Sequence, residues 1–461
     1  MSGFSGLSTA LSALYAQRKA LDVTGQNIAN ANTEGYSRQR AQMEAVGGPT
    51  APSIFSTTDG VGAGVTVSRV DRITDTFLEA RGRAEHAQNS YLADKKQMLT
   101  RIEQGFGEPS DTGLQSQLSE FWSSWHDLAN QPGDLAARTQ LLERGKTVVG
   151  SLRSMHDTFS SLFTTTREQL DALVTDVNNT ATQIAQLNKA VVRANIGGQP
   201  VNELADQRDV MIMHVAELTG AAAIVRSDGA IDLTIGGSSL VSGSLSRTLA
   251  SFGAARLDDI GVDPVGIRWV DNSATASISS GQASSTLETL GATLASYSAQ
   301  TDAVVANIAS TVNTQHAAGF DLAGTAGGAF FSGTTAATFA MAITDPTKIA
   351  AAGTGGTASL DGANADALAG ISTSTTGPDR TYRQLVVDLG VAAQTVNRRA
   401  GIQQTITTDV DSARTAQSGV NLDEEMTNMI SYQRAYEAAS KIISVVDGML
   451  DTLINRTGFG R

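Results

Sequence analysis

No cysteine occurs in the 461 residues. That excludes disulfides, thiolate metal ligands and a cysteine nucleophile, and it removes any dependence on redox compartment. Charge is also sparse: 17% of residues are charged against roughly 25% in an average soluble protein. Ala, Ser, Thr and Gly fill the shortfall. Basic residues are outnumbered, 33 against 46 acidic for a net charge of -13, so phosphate backbones are not attracted and nucleic acid is not an expected partner. No run approaches the ~20 apolar residues of a membrane-spanning helix. The opening MSGFSGLSTALSALYA lacks the charged first region of a secretory signal peptide, so export is expected to use another route. What is present is 41% apolar residues in a chain long enough for two to four domains.

Motifs for chemistry fail in context. Gly145-Lys146-Thr147 looks like the end of a phosphate-binding loop, but Gln140 stands where its first glycine belongs and Leu141 to Arg144 read as helix. Gly353-Thr354-Gly355-Gly356-Thr357-Ala358 spells a dinucleotide fingerprint with no apolar strand before it, which reads as a loop. His86, His126, His156, His214 and His316 never fall at a metal-ligand spacing, and no Gly-x-Ser-x-Gly occurs. The expectation is a chain with no catalytic, cofactor or metal site and no enzymatic activity.

Heptad patterning dominates instead. Phe4, Leu7, Leu11, Leu14, Leu21 and Ile28 alternate steps of three and four, with Arg18 and Gly25 on the seam between them. Met429, Tyr432, Tyr436, Ala439, Ile443, Val446, Leu450 and Leu453 do the same at the other end. A third run, Phe159, Phe163, Leu170, Leu173, Val177, Ile184, Leu187 and Val191, is interrupted by Thr166 and Thr180 and predicts a rod of roughly 48 Å. Further helical runs are Leu287, Leu290, Leu294, Tyr297, Val304 and Ile308, and Tyr382, Leu385, Leu389, Val396, Ile406 and Val410.

A heptad stripe ordinarily buries itself inside its own bundle, which is the reading for 159–191. Short Ala- and Ser-rich terminal helices are marginal alone in water, so they are expected to pair. Period-two alternation at Ile231, Leu233 and Ile235 after Asp228-Gly229, at Ile267 to Val270, and at Val65 to Val70 predicts strands. Residues 321–379, rich in Gly, Ala, Ser and Thr, predict irregular, loosely packed chain.

The fold class read from these patterns is mainly α with a β subdomain. Residues 1–35 and 420–461 form a terminal helical unit paired as a coiled coil. Residues 36–220, 283–320 and 380–419 form a long helical bundle, with an inserted β-rich domain at 221–282 and the irregular segment at 321–379.

Several stretches resemble the flagellar rod, hook and hook-associated protein family. Asn27-Ile28-Ala29-Asn30-Ala31-Asn32-Thr33-Glu34-Gly35-Tyr36 is similar to the signature that closes the first helix there, Asn and Gly tolerating the left-handed conformation of a helix end. Asn421, Asp423, Glu424 and Glu425, before Tyr432-Gln433-Arg434-Ala435-Tyr436, resemble its C-terminal counterpart. Asn421 with Glu424 predicts a capping arrangement, and Asp423 and Glu425 suit a helix N-terminus.

Internal segments resemble the hook-associated protein 1 (FlgK-type) branch: Phe121-Trp122-Ser123-Ser124-Trp125, Asp134 to Arg138, Asp206-Gln207-Arg208-Asp209, and Asn313 to Asp321. Residues 322–380 are short beside the insertion of larger relatives. The resemblance implies an elongated, multi-domain axial subunit of the hook-filament junction, exported by the flagellar type III system to the extracellular flagellum. It implies self-association through the terminal stripes, with hook protein and a second hook-associated protein as neighbours and a FlgN-type export chaperone as transient partner. The alternatives are a hook or distal rod protein, or a flagellar protein with an added hydrolase domain.

Overall fold

The computed structural model describes residues 3–47, 62–356 and 360–452. It opens with α1 (Gly3–Ala29), an antiparallel hairpin of β1 (Gln39–Val46) and β2 (Gly64–Arg72), and α2 (Thr76–Phe106). The Asp75 carboxylate starts α2 by accepting from the Phe77 and Leu78 amides, and Gly107 closes it in the left-handed conformation. Next come α3 (Leu114–Asn130) and α4 (Leu135–Ile196), whose 62 residues begin at the Asp134 cap. At the ordinary helical rise α4 is about 93 Å long. The rod expected at 159–191 is thus its later part, because Leu141, Val148, Leu152 and Met155 carry the buried stripe further back.

After α5 (Asn202–Thr219), β3 (Ala222–Val225), β4 (Ile231–Ile235), β5 (Ser238–Ser242) and β6 (Leu245–Ser246) form one antiparallel sheet in chain order; β7 (Leu249–Phe252) pairs with β8 (Gly266–Trp269). Ile231, Leu233 and Ile235 are buried, as the alternation predicts. Asn188 of α4, itself buried, holds the sheet by accepting from the Ile231 amide and donating to the Ile231 and Gly243 carbonyls. The bundle resumes with α6 (Gly281–Glu288), a π turn at Thr289–Thr293 and α7 (Leu294–Ala317). The small pair β9 (Phe331–Ser332) and β10 (Ala340–Met341), then α8 (Ala363–Ala369), α9 (Pro378–Ser418) and α10 (Leu422–Asp451) complete the order.

One core runs from Leu99 in α2 through α3, α4, both sheets and α7 to Val396 in α9, and among the described residues it takes nothing from α1, the hairpin or α10. The protein is therefore a long body and a terminal unit, each with its own packing. Gly145, from the rejected phosphate-loop motif, lies inside α4, where an added Cβ would come within 3.1 Å of Met341 Sδ. It is a point of close helix approach.

The described residues between 321 and 379 correct the expectation of loose packing. Phe330, Phe331 and Phe339 are at most 1% exposed, and Ile349, Ala350 and Ala351 are fully buried. Each buried phenylalanine contributes about 1.5–3 kcal/mol. The segment has few large apolar residues, but it spends them inward. Its irregular backbone is satisfied by side chains of the bundle: Asn313 accepts from the Phe330 and Phe331 amides and donates to the Phe331 carbonyl. Arg138, 1% exposed, donates to the carbonyls of Pro132, Pro346 and Ile349.

Candidate functional site

The residues of the two terminal signatures meet. Asn27, in the last turn of α1, donates to Glu425 Oε2 at 3.0 Å and to the Gln39 carbonyl at 2.9 Å. Its own carbonyl oxygen accepts from the Tyr36 hydroxyl and from the Gln39 amide, both at 2.9 Å. Burial, with nearby carboxylates, pushes the Tyr36 phenol up to about 12, so it remains a donor at neutral pH. Arg38 binds Glu425 at 2.7 Å and Glu424 at 2.8 Å, and the Arg38 amide donates to the Ser418 carbonyl. The end of α1 thus sits on the start of α10, and the two helices run antiparallel.

One detail differs from the sequence reading and another sharpens it. Glu424 pairs with Arg38 instead of reaching back along its own helix, and Asn421 alone caps α10 by accepting from the Asp423 and Glu424 amides. Among the described residues the left-handed position of the turn is Gly35 at φ 74°, not an asparagine. A Cβ there would also lie 2.2 Å from Val210 Cγ2 on α5, so glycine is demanded twice. Asn30 and Thr33 brace the turn through a 3.1 Å side-chain bond. Asp423 is exposed in the first turn of α10, the charge favoured there.

The deepest residues of α1 are Ala10, Ala16, Ala20, Val23, Thr24 and Asn27, small groups that let it lie close to α10 and the hairpin. Of the predicted stripe, Leu7, Leu14, Leu21 and Ile28 are half-buried and Leu11 is exposed. On α10 Ala439 is buried, and Met429, Tyr432, Tyr436, Ile443, Val446 and Leu450 are half-buried. Leu453 and the side chain of Phe4 lie outside the described residues. Sequence reasoning missed a second row on α10: Leu422, Met426, Ile430, Ile442, Val445 and Met449 are 47 to 65% exposed. Their steps of three and four at each end of the helix were the available signal.

The internal motifs join parts of the molecule. Arg72, at the end of β2, contacts Asp206 at 2.8 Å and Asp209 at 2.6 Å on α5. The Ser37 amide reaches Asp206 as well. Burial raises the Asp206 carboxyl above its ordinary value, with Arg72 opposing. Arg208, facing the other way, donates to Asn188 and to the Gly229 carbonyl in the β turn. Trp122 donates to Asp379 at 2.8 Å, and Trp125 packs against Phe330. No group of three or more His, Cys, Asp or Glu side chains among the described residues is placed to hold a metal ion, and no described helix is long and apolar enough to cross a membrane.

Residues 99–331 match the family model described as flagellar hook-associated protein FlgK helical domain. The ends match two shared models, flagella basal body rod protein over 7–36 and flagellar basal body rod FlgEFG protein C-terminal over 412–456. Flagellar hook-associated protein 1 of Bacillus subtilis is 31% identical over 100% of this chain and 99% of its own. The Escherichia coli protein of the same name is 26% identical over 97% and 99%. The solved flagellar hook junction protein FlgK from Burkholderia pseudomallei shares the fold, with a TM-score of 0.65 at 17% identity, over 74% of this chain and 100% of that one. The ends alone suit rod and hook proteins equally; with the helical middle matched and the whole length aligned, the chain belongs to the flagellar hook-associated protein 1 family.

Proposed function

We propose that the chain is a structural subunit of the flagellar axis at the hook-filament junction and that it meets its neighbours through α1 and α10. The observation that carries this reading is the uncovered apolar row on α10 beside the half-buried stripe that faces α1. Covering such a row contributes about 25 cal/mol per Å² of apolar area, and head-to-tail contacts of this kind build rings and helical tubes. Hook protein on one side, a second hook-associated protein on the other, and further copies around the axis are the partners of this reading. The subunit leaves the cell by the flagellar type III route, with α10 held beforehand by a small FlgN-type chaperone that grips an amphipathic helix in a groove. Catalysis plays no part in it.

A deletion strain tests the assignment. Junction loss leaves hooks in place and releases unassembled flagellin into the medium, and the intact gene restores filaments. Cells that keep their filaments would overturn the reading, and cells without hooks would point to a hook or distal rod role.

A further inference from the structure

Where α2 passes between α5 and α9, its His86 has both ring nitrogens engaged: Nδ1 lies 2.9 Å from Glu217 Oε1 on α5, and Nε2 lies 3.0 Å from both carboxylate oxygens of Asp411 on α9. A neutral imidazole donates from one nitrogen only, and an ionised carboxylate can only accept. Both contacts are therefore satisfied together by the imidazolium. The ring lines a cavity of about 660 Å³ that opens to solvent, which gives protons a path. The site stands at the root of the terminal unit: three residues beyond Asp411, Arg414 grips Glu79 of α2 at 2.9 Å, and α9 ends at Ser418, whose carbonyl accepts from Arg38.

We infer that His86 is a proton-operated strap, an imidazolium that ties α5 and α9 together across α2 and releases one of them when it loses its proton.

The charged groups around it favour the cation. On α2 itself are Glu79 and Arg83; α9 presents Asp411 and Arg414; α5 presents Asp209, His214 and Glu217; α4 presents Asp176, bound to His214 at 2.8 Å; the terminal unit presents Glu34 and Arg72. Arg414 divides its guanidinium between Glu79, at 2.9 Å, and Asp411, at 3.1 Å, and Arg72 is committed to Asp206 and Asp209. The hydrogen bond to Glu217, joined by the one to Asp411, raises the imidazole above 6.5 against the effect of burial. The sign follows: the strap's contribution is fully present below pH 6.5 and is lost as pH rises through the raised folded value. Once neutral, the ring turns a lone pair toward one of the two carboxylates, and that contact opens.

Imidazole NMR on the full-length chain tests this, with the His86 signal identified by its loss in His86→Gln. The titration midpoint is expected above pH 6.5 and is expected to fall by about one pH unit or more in Glu217→Gln and in Asp411→Asn. Amide protection factors in the last turns of α5 and α9 are expected to drop across the same midpoint and to lose that step in His86→Gln. A midpoint at or below 6.5, one unmoved in both carboxamide variants, or protection that ignores the transition would overturn the strap. Should His86→Gln not fold, the signal displaced in Glu217→Gln and Asp411→Asn identifies the residue.

Discussion

The side chain of Asn27 donates to the Glu425 carboxylate at 3.0 Å across 398 positions of sequence. Around that bond the turn adds the Tyr36 hydroxyl, the strand start adds the Gln39 amide and carbonyl, and Arg38 between them adds its guanidinium. The terminal signature is thus a closed hydrogen-bonding set that fixes where the two ends of the chain meet.

Arg38→Met leaves Glu425, 2% exposed, without its cation. The expected loss is about 3 kcal/mol, the low end for a broken buried pair, because Arg38 keeps some contact with water. Amide exchange should rise by a matching factor in the last turns of α1 and the first turns of α10, with α4 unchanged. An equal rise throughout the chain would show that the terminal unit does not open by itself.

Asn313→Leu removes the partner of three backbone groups in the irregular segment. At about 1–3 kcal/mol for each buried group left unpaired, the expected cost in urea unfolding is several kcal/mol. Arg138→Lys is expected to recover little relative to Arg138→Met, since an ammonium lacks the planar fork that spans Pro132, Pro346 and Ile349. Full recovery by lysine would contradict the geometry.

His316 is fully buried, donating from Nδ1 to the Gly328 carbonyl and accepting at Nε2 from the Ala350 amide. That arrangement requires the neutral ring, and burial holds its pKa below 6.5. The unfolded chain therefore takes up a proton first as pH falls, so stability from this residue is complete above 6.5 and declines below it. Unfolding measured from pH 7.5 to 5 should show the decline, and His316→Gln should flatten it. A difference between wild type and His316→Gln that does not change over this pH range would refute the assignment.

Ile442 and Ile443 are adjacent but separate two roles. Ile442→Asp lies on the uncovered row and is expected to leave thermal unfolding within ~0.5 kcal/mol while abolishing motility in complementation. Ile443→Asp, on the half-buried face, is expected to cost stability as well as motility. In calorimetry with the export chaperone, Tyr436→Ser with Ile443→Ser should weaken binding more than Asp423→Asn, because apolar burial outweighs an exposed charge. The opposite order would sink the groove mechanism.

Long elements were legible because their patterning is redundant: the heptads of 159–191 survive single interruptions, the run of 382–410 survives a longer one filled by buried Gln403 and Thr407, and buried Thr166 and Thr180 show that the seam tolerates small hydroxyls. The hairpin β1 was not legible. Gln39 to Val46 alternates weakly, and its register comes from β2 and from Asn27, both distant in sequence. The packing of 321–379 was hidden for a related reason. Composition reports that large apolar residues are few, but not that Phe330, Phe331 and Phe339 share one pocket with Phe121 and Trp125. The second α10 row was overlooked because the first row accounts for a helix by itself.

The antiparallel contact of α2 with α9 has a consequence for how the ends find each other. Closing a loop of nearly 400 residues carries an entropy cost that grows with the logarithm of its length. Glu79 and Arg414 already hold the start of α2 beside the end of α9, so once the body has folded the search involves only the short arms leading to Asn27 and Glu425. Amino- and carboxyl-terminal segments, made at opposite ends of synthesis, then close as a local event on a finished scaffold.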